Sequence, residues 1–288
     1  MIYNEIKRRF DLWNKIKVIE DGTITPTQLR EMRVYGGSQG IYTDKLNTSD
    51  FTENGNGLTV SILHLGDYYP DEVDENGILY HYPATQRSPS RDEGEVLATK
   101  NCIDLRVPIF VIMPGNEENL RKVRLGWVMD FDDENKLFLI SFSEEKPDLT
   151  TEVNKNEKFQ LDDHLETRTQ ITNRVRRNQH KFRFNVLKNY GSKCAFCSIA
   201  HPKILHAAHI KPKKNKGSDD WRNGIVLCHN HHTAFDENLI LIKPDTDLSL
   251  EVKADNLNVE FEKVTLSKNQ PHIDAISWRY DNIGKVSK

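Results

Sequence analysis

The sequence predicts an α+β protein in two parts: a β-rich N-terminal domain built as a curved sheet or partial barrel, followed by a small module rich in cysteine and histidine. Three observations carry this. Short apolar or alternating runs separated by turn signals dominate residues 1–145. Residues 194–236 hold three of the four cysteines and six of the eleven histidines. Between them, from about Lys146 to Thr172, runs a polar stretch with no sustained apolar period, which makes 1–148 the first domain, 149–173 a linker, and 174–288 the second domain with a C-terminal extension.

In chain order, Ile2, Ile6, Phe10, Trp13 and Ile16 recur at helical steps, so a helix is expected over residues 2–17. LTVSILHL, ILYHY, VPIFVIM, VRLGWVMDF and KLFLISF read as strands, separated by the turn signals ENGNG, DENG and MPGNEEN. Phe182, Val186, Leu187 and Tyr190 lie near helical spacing, and ILIKPDTDLSLEV, from Ile240, suggests a hairpin. The terminal segment with Trp278 and Tyr280 has no role that the sequence reveals.

With 288 residues, 37% hydrophobic and 29% charged, the chain is long enough for two globular domains, and no apolar run approaches membrane-spanning length. The cysteines come as a close pair and two singles, and no signal peptide is evident. A reducing, cytoplasmic location with metal ligation is therefore expected rather than a disulfide framework. Forty basic against 43 acidic residues leave −3, so any nucleic-acid footprint must be local.

Cys194-x-x-Cys197 and Cys228-x-x-His231 have the spacing with which one knuckle presents two ligands to a tetrahedral Zn²⁺. A closed Cys₃His site leaves no position for substrate, so this zinc is expected to be structural. His206, His209, His229 and His232 remain. The order HAAHI, NG, LCxxHH and FD resembles the ββα-metal (HNH) endonuclease motif in its zinc-bound form, over about a fifth of the chain.

The resemblance implies a general base at His209, an asparagine that orients the base's loop at Asn223, and a ligand of the catalytic divalent metal, Mg²⁺ or Mn²⁺, at His232. Many relatives carry a second metal ligand just before the base, where this chain has Ala208. His206, on the same strand face as Ala208, and Asp236, one helical turn after His232, are the candidates to replace it. The alternative is a zinc-stabilised structural module whose other histidines, including His201 and His229, are surface groups.

Arg174, Arg176, Arg177, Lys181, Arg183 and Lys188 lie between residues 174 and 188 without one acid. They are candidate DNA-backbone contacts or an ordinary solvated helix face. Lys211, Lys213, Lys214 and Lys216, in the loop between the two strands of the motif, are further backbone candidates.

In the N-terminal half, GGSQGIY at Gly36–Tyr42 and GDYYPDEVDENGILYHYPATQR at Gly66–Arg87 resemble the SRA domain, a PUA-like fold that recognises modified cytosine by base flipping. The equivalents of its pocket residues are Tyr69, Glu72, Asp74 and Tyr82. Tyr69 and Tyr82 would stack on the flipped base, and Asp71 or Glu72 would accept from its exocyclic amine. The alternative is that Tyr68, Tyr69, Tyr80 and Tyr82 are strand aromatics and the acids a solvated turn. Arg87, Arg91 and Arg106 are open between phosphate contacts and surface ion pairs. Cys102 reads as a buried small hydrophobe.

Joined, the two resemblances imply a modification-dependent restriction endonuclease: a reader of 5-methyl- or 5-hydroxymethylcytosine in double-stranded DNA tethered to a one-metal cutter, acting as a homodimer in antiviral defence. Three rivals keep part of this: a nuclease reading another mark such as phosphorothioate, a nuclease of unmodified DNA, and a non-catalytic binder of modified DNA. A zinc-only interaction scaffold would bind no DNA.

Overall fold

The structure is a computed structural model that describes residues 2–19, 23–36, 40–66, 72–85, 88–147, 158–163, 168–254 and 256–284, the side chains of 168–178 excepted. The chain divides into two compact units, Met1–Thr150 and Thr151–Lys288. Among the described residues no helix is long and apolar enough to cross a membrane.

The first unit is an eight-stranded sheet, β1 (Thr23–Ile24), β2 (Ile41–Thr43), β3 (Thr59–Leu63), β4 (Glu72–Val73), β5 (Gly77–His81), β6 (Ile109–Pro114), β7 (Arg121–Asp132) and β8 (Leu137–Phe142). Its order is β2-β3-β6-β7-β8-β5-β4, with β1 added to β7. Every pairing is antiparallel except β3 with β6. Three helices accompany the strands: α1 (Ile2–Lys17), α2 (Pro26–Glu31) and α4 (Pro89–Asp104), with one turn of helix, α3, at Lys45–Thr48.

Both faces of the sheet are covered, which explains why β6 is apolar at consecutive positions instead of alternating. Ile109 and Val111 join one core cluster, with Ile62, Tyr80, Cys102, Phe138 and Ile140. Phe110 and Ile112 join the other, with Trp13 and Ile16 of α1 and Leu29 of α2.

Helix α1 forms where its apolar spacing predicts, but its most buried face is not purely apolar: it runs Glu5, Arg9, Trp13, Ile16. Arg9 is 0% exposed. Its Nε donates to Glu5, and its Nη1 donates to the carbonyls of Thr59 and Pro108, each at 2.7 Å. One guanidinium thus fastens α1 to the entries of the parallel strands β3 and β6. Arg8 also donates to Glu5, and these two guanidinium partners outweigh burial to hold the Glu5 carboxyl below its usual range.

Helix α4 is a helix the apolar pattern does not announce. Its buried positions include Glu95, Thr99 and Asn101 beside Ala98 and Cys102. The polar ones are bonded inward: Thr99 Oγ1 meets Thr59 Oγ1 at 2.8 Å, and Asn101 Nδ2 donates to the Gly57 carbonyl at 2.9 Å. Cys102 is buried beside the Ala98 and Thr59 carbonyls, and that burial pushes its thiol up.

The second unit contains α5 (Arg168–Tyr190), the hairpin β9 (Leu205–His209) and β10 (Gly224–Cys228), α6 (His229–Asp236), the expected hairpin β11 (Ile240–Ile242) with β12 (Leu250–Val252), and α7 (Ile273–Arg279). Phe182, Val186, Leu187 and Tyr190 are all buried on α5, as their spacing predicts.

Replacing Arg9 with Met should lower unfolding stability by about 2–4 kcal/mol, because it leaves two buried carbonyls without their donor and Glu5 with Arg8 alone. Lys17→Ala, at the exposed pair with Glu144, should cost under about 1 kcal/mol. Denaturant unfolding of both variants checks the contrast; equal effects would remove the buried pair as the anchor of α1.

Candidate active site

The hairpin sets the geometry of the second unit. Register places Gly224 opposite His209 and Cys228 opposite Leu205, so β10 starts beside one predicted site and ends in the other. Gly224 is required by close approach: a Cβ there would lie 2.5 Å from Val186 and 2.9 Å from Phe182. Into the space left by the missing side chain, α5 brings the Phe182 ring, which stacks on the His209 imidazole with centroids 3.8 Å apart and planes at 6°.

At the far end, Cys194, Cys197, Cys228 and His231 are all buried, with ligand atoms within 4.8 Å of one another. Tetrahedral bonds of about 2.3 Å to sulfur and about 2.05 Å to nitrogen imply edges of about 3.8 Å between sulfurs and about 3.5 Å between sulfur and nitrogen. His231 Nδ1 lies 3.4 Å from Cys194 Sγ and 3.3 Å from Cys228 Sγ, and Cys197 Sγ lies 4.0 Å from Cys228 Sγ. The donor set therefore fits one zinc ion. Burial, with the neighbouring thiols, pushes Cys197 up to about 12, so a cation is needed to hold it as a thiolate.

The C-terminal extension supplies the support around these ligands. His231 Nε2 donates to the Asn258 carbonyl at 3.0 Å, which fixes Nδ1 as the ligating nitrogen. Glu260 and Thr265 donate backbone N–H groups to the Phe196 and Ala195 carbonyls, each at 3.0 Å.

Asn223 is completely buried and faces the turn after His209. Its Oδ1 accepts from Lys211 N at 2.9 Å, its Nδ2 donates to the carbonyls of Lys211 at 3.1 Å and Ser218 at 2.9 Å, and its own carbonyl accepts from Ile210 N at 2.8 Å. The turn closes tightly enough that a Cβ at Gly217 would lie 1.8 Å from the Lys211 carbonyl oxygen.

Three histidines of β9 and α6 gather together. His206 lies 5.4 Å, ring to ring, from both His229 and His232. His232 Nε2 lies 3.3 Å from Asp236 one turn along α6. Burial and the surrounding imidazoles lower the pKa of His206 and, against the pull of Asp236, that of His232. Both rings thus favour the neutral form that ligates a cation. Ala208 is fully buried. Among the described residues, the Cys₃His cluster alone brings three or more ligand atoms together within 4.8 Å, so the His206, His232 and Asp236 set is more open.

Several functional neighbours have no local sequence signal. Asp219 accepts from His209 Nε2 at 3.0 Å and lies 3.0 Å from Lys213 Nζ. These partners outweigh burial and hold its carboxyl below the usual range. Arg279 of α7 is buried and donates to the Ile210 carbonyl at 3.1 Å and to the Phe235 carbonyl, tying the end of β9 to α6. Burial brings its guanidinium down to about 10.

The structure corrects part of the expected DNA-backbone set. Lys211 is only 5% exposed; its Nζ pairs with Asp162 and lies 4.6 Å from the Trp278 ring, so it is an interior cation. Lys213 is engaged by Asp163 and Asp219. Arg183 donates to the carbonyls of Leu205 at 2.5 Å and Pro202 at 3.3 Å, where the chain enters β9. Lys181 is half-buried, while Lys214 and Lys216 remain exposed. Arg174, Arg176 and Arg177 have side chains outside the described residues.

In the first unit, Tyr82 is 7% exposed, with its ring 4.4 Å from Phe138 and its hydroxyl donating to Asp133 at 3.0 Å. Its ring sits in the core, the strand-aromatic alternative, and offers no open face for stacking. Glu72 is exposed on the edge strand β4, and Asp74 accepts the backbone N–H groups of Asn76 and Gly77 within the turn. Tyr68, Tyr69, Asp71 and Arg87 lie outside the described residues.

Residues 194–243 match the HNH endonuclease family HNH_2. No curated protein matches the chain. Among solved structures, a modification-dependent TagI restriction endonuclease is similar at TM-score 0.35 and 17% identity, over 89% of this chain and 90% of that one. The SUVH5 SRA domain, in a complex with fully methylated CG DNA, is similar at TM-score 0.31 and 21% identity, over 43% of this chain and 87% of that one. The second unit thus carries an HNH endonuclease domain with a Cys/His cluster fit for zinc.

Cys197→Ala should abolish stoichiometric zinc and unfold the second unit, read as zinc content and thermal unfolding. Asn223→Ala should keep the zinc yet cost about 2–4 kcal/mol, since it strands buried backbone groups of Lys211 and Ser218. Loss of zinc from both variants would merge two anchors that the geometry separates.

Proposed function

We propose that the protein is a metal-dependent DNA endonuclease that hydrolyses phosphodiester bonds near a modified cytosine. The observation that carries the nuclease reading is the placement of His209: stacked, hydrogen-bonded and half-buried at the end of β9, the strand that also carries His206, whose ring lies 5.4 Å from that of His232, in a segment that matches the HNH family. His209 takes a proton from water. The water oxygen bonds to phosphorus as the bond to the leaving sugar oxygen breaks, and that oxygen takes a proton from solvent. His232, with His206 or Asp236, would hold Mg²⁺ or Mn²⁺, which would offset the charge on the phosphate and the leaving oxygen. Asn223 holds the loop that carries the base.

The modified-cytosine reading rests on the order of residues from Tyr69 to Tyr82, with Asp71 or Glu72 as the amine acceptor. The buried ring of Tyr82 favours a second reading, in which the same site cuts DNA marked otherwise or not at all. One such site attacks one strand, so a double-strand break calls for a homodimer on the substrate. Lys214 and Lys216, exposed in the loop after His209, are the backbone contacts this reading uses.

Identical duplexes carrying cytosine, 5-methylcytosine, 5-hydroxymethylcytosine, its glucosylated form or phosphorothioate, incubated with Mg²⁺, Mn²⁺ or EDTA, decide between the readings. Metal-dependent cutting confined to modified cytosine is expected; equal cutting of every duplex would keep the nuclease and discard the reader. His209→Ala should slow cutting by about 10²–10⁴-fold while zinc content and DNA affinity stay near wild type. Retained cutting would remove His209 as the base.

A further inference from the structure

A general base needs one ring nitrogen free to receive a proton, and an imidazole has two candidates. At His209 the choice is constrained from two sides. The Phe182 ring, parallel at 3.8 Å, blocks one face and fixes the plane of the imidazole. Asp219 Oδ1 accepts from Nε2 at 3.0 Å, and Lys213 Nζ sits 3.0 Å from the same oxygen. Lys213 is gripped in turn by Asp163 at 2.8 Å. Asp163 belongs to the segment 158–163, which lies against the loop after His209: Asp162 bridges Gly217, and Ser218 Oγ donates to the Gln160 carbonyl at 2.5 Å.

We propose that Asp219 is a positioning residue for the base. It accepts the Nε2 hydrogen, fixes His209 in the Nε2–H tautomer, and leaves Nδ1 to take the proton of the attacking water. Lys213 and Asp163 hold the carboxylate in place. The inference rests on the nuclease reading above and deepens it. When water gives its proton to Nδ1, its oxygen bonds to phosphorus and the phosphorus–sugar oxygen bond breaks. The imidazolium that results keeps Nε2–H against Asp219 and returns the Nδ1 proton to solvent. Charge therefore forms opposite a carboxylate already in place. The chain Asp163–Lys213–Asp219 runs from the segment that follows the first unit in sequence to the base itself.

A residue that only braced the loop would leave the tautomer untouched, so the test reads it. Full-length wild type, Asp219→Asn and Asp219→Glu are compared by ¹⁵N–¹H correlation of the imidazoles, with the His209 signal identified by its loss in His209→Ala. Cleavage under single turnover with Mg²⁺, DNA affinity in EDTA and zinc content are measured alongside. Asn can present its amide as a donor to Nε2 and select the Nδ1–H tautomer. Asp219→Asn is therefore expected to lose the Nε2–H signal and to cut about 10²-fold or more slowly, with affinity within about twofold and zinc unchanged. Asp219→Glu is expected to keep the Nε2–H tautomer and most of the rate, and it tests the proposal even where the Asn variant fails to fold. An active wild type with an Asp219→Asn that cuts normally, or that slows without a change of tautomer, overturns the proposal and spares the nuclease. A wild type that cuts none of the duplexes overturns both.

Discussion

The second unit depends on one buried amide. Asn223 has no contact with water, and its side chain grips both backbone groups of Lys211, the second residue after His209. Each such bond contributes only about 1 kcal/mol net, yet an unmade one in this interior costs more. The larger consequence is geometric. β9 and β10 are five residues each, too short to be stiff alone, and they are held at both ends: by Asn223 near His209 and by the Cys/His cluster beyond Cys228. With α5 on Gly224 and Arg279 joining β9 to α6, the histidines are presented by a frame that has little freedom to shift.

The cation-rich look of this region in one dimension dissolves in three. Lys211 is folded inward onto Asp162 and Trp278, Lys213 is shared by two carboxylates, and Arg183 is spread over backbone carbonyls. The field a DNA strand would meet is thus set by a subset of the charges, since the carboxylates paired with Lys211 and Lys213 offset those two cations, whereas Arg183 keeps its charge but is fixed in place.

What could be read in the sequence was what depends on near neighbours. Ligand spacing at Cys194 and Cys197, the helical recurrence of Phe182, Val186 and Tyr190, and the hairpin starting at Ile240 all follow from local geometry, and the structure contains them. Features set by partners far along the chain were hidden. Asp219 is ten residues from His209 with no fixed motif between them. Arg279 meets Ile210 across 69 positions, and Arg9 meets Pro108 across 99. Helix α4 hides its inward face because polar residues satisfied by hydrogen bonds, Thr99 and Asn101, interrupt the apolar ones. Tyr82 is compatible with a pocket or a core in sequence, and only the Phe138 ring beside it decides for the core.

The strand order of the first unit also dictates a timetable. Among the described residues, the meander β6-β7-β8 is the only run of three strands that are consecutive in both chain and sheet, and it occupies the middle. β1 adds to β7, β3 to β6 and β5 to β8, so each piece made earlier waits for a partner made later. As the chain leaves the ribosome, the stretch from Thr59 to Leu63 can pair with β2, made before it, but its other edge waits for Ile109–Pro114, and β5 waits for β8, which ends at Phe142. Three of the sheet's pairings thus join segments far apart in the chain, the kind of topology that slows folding.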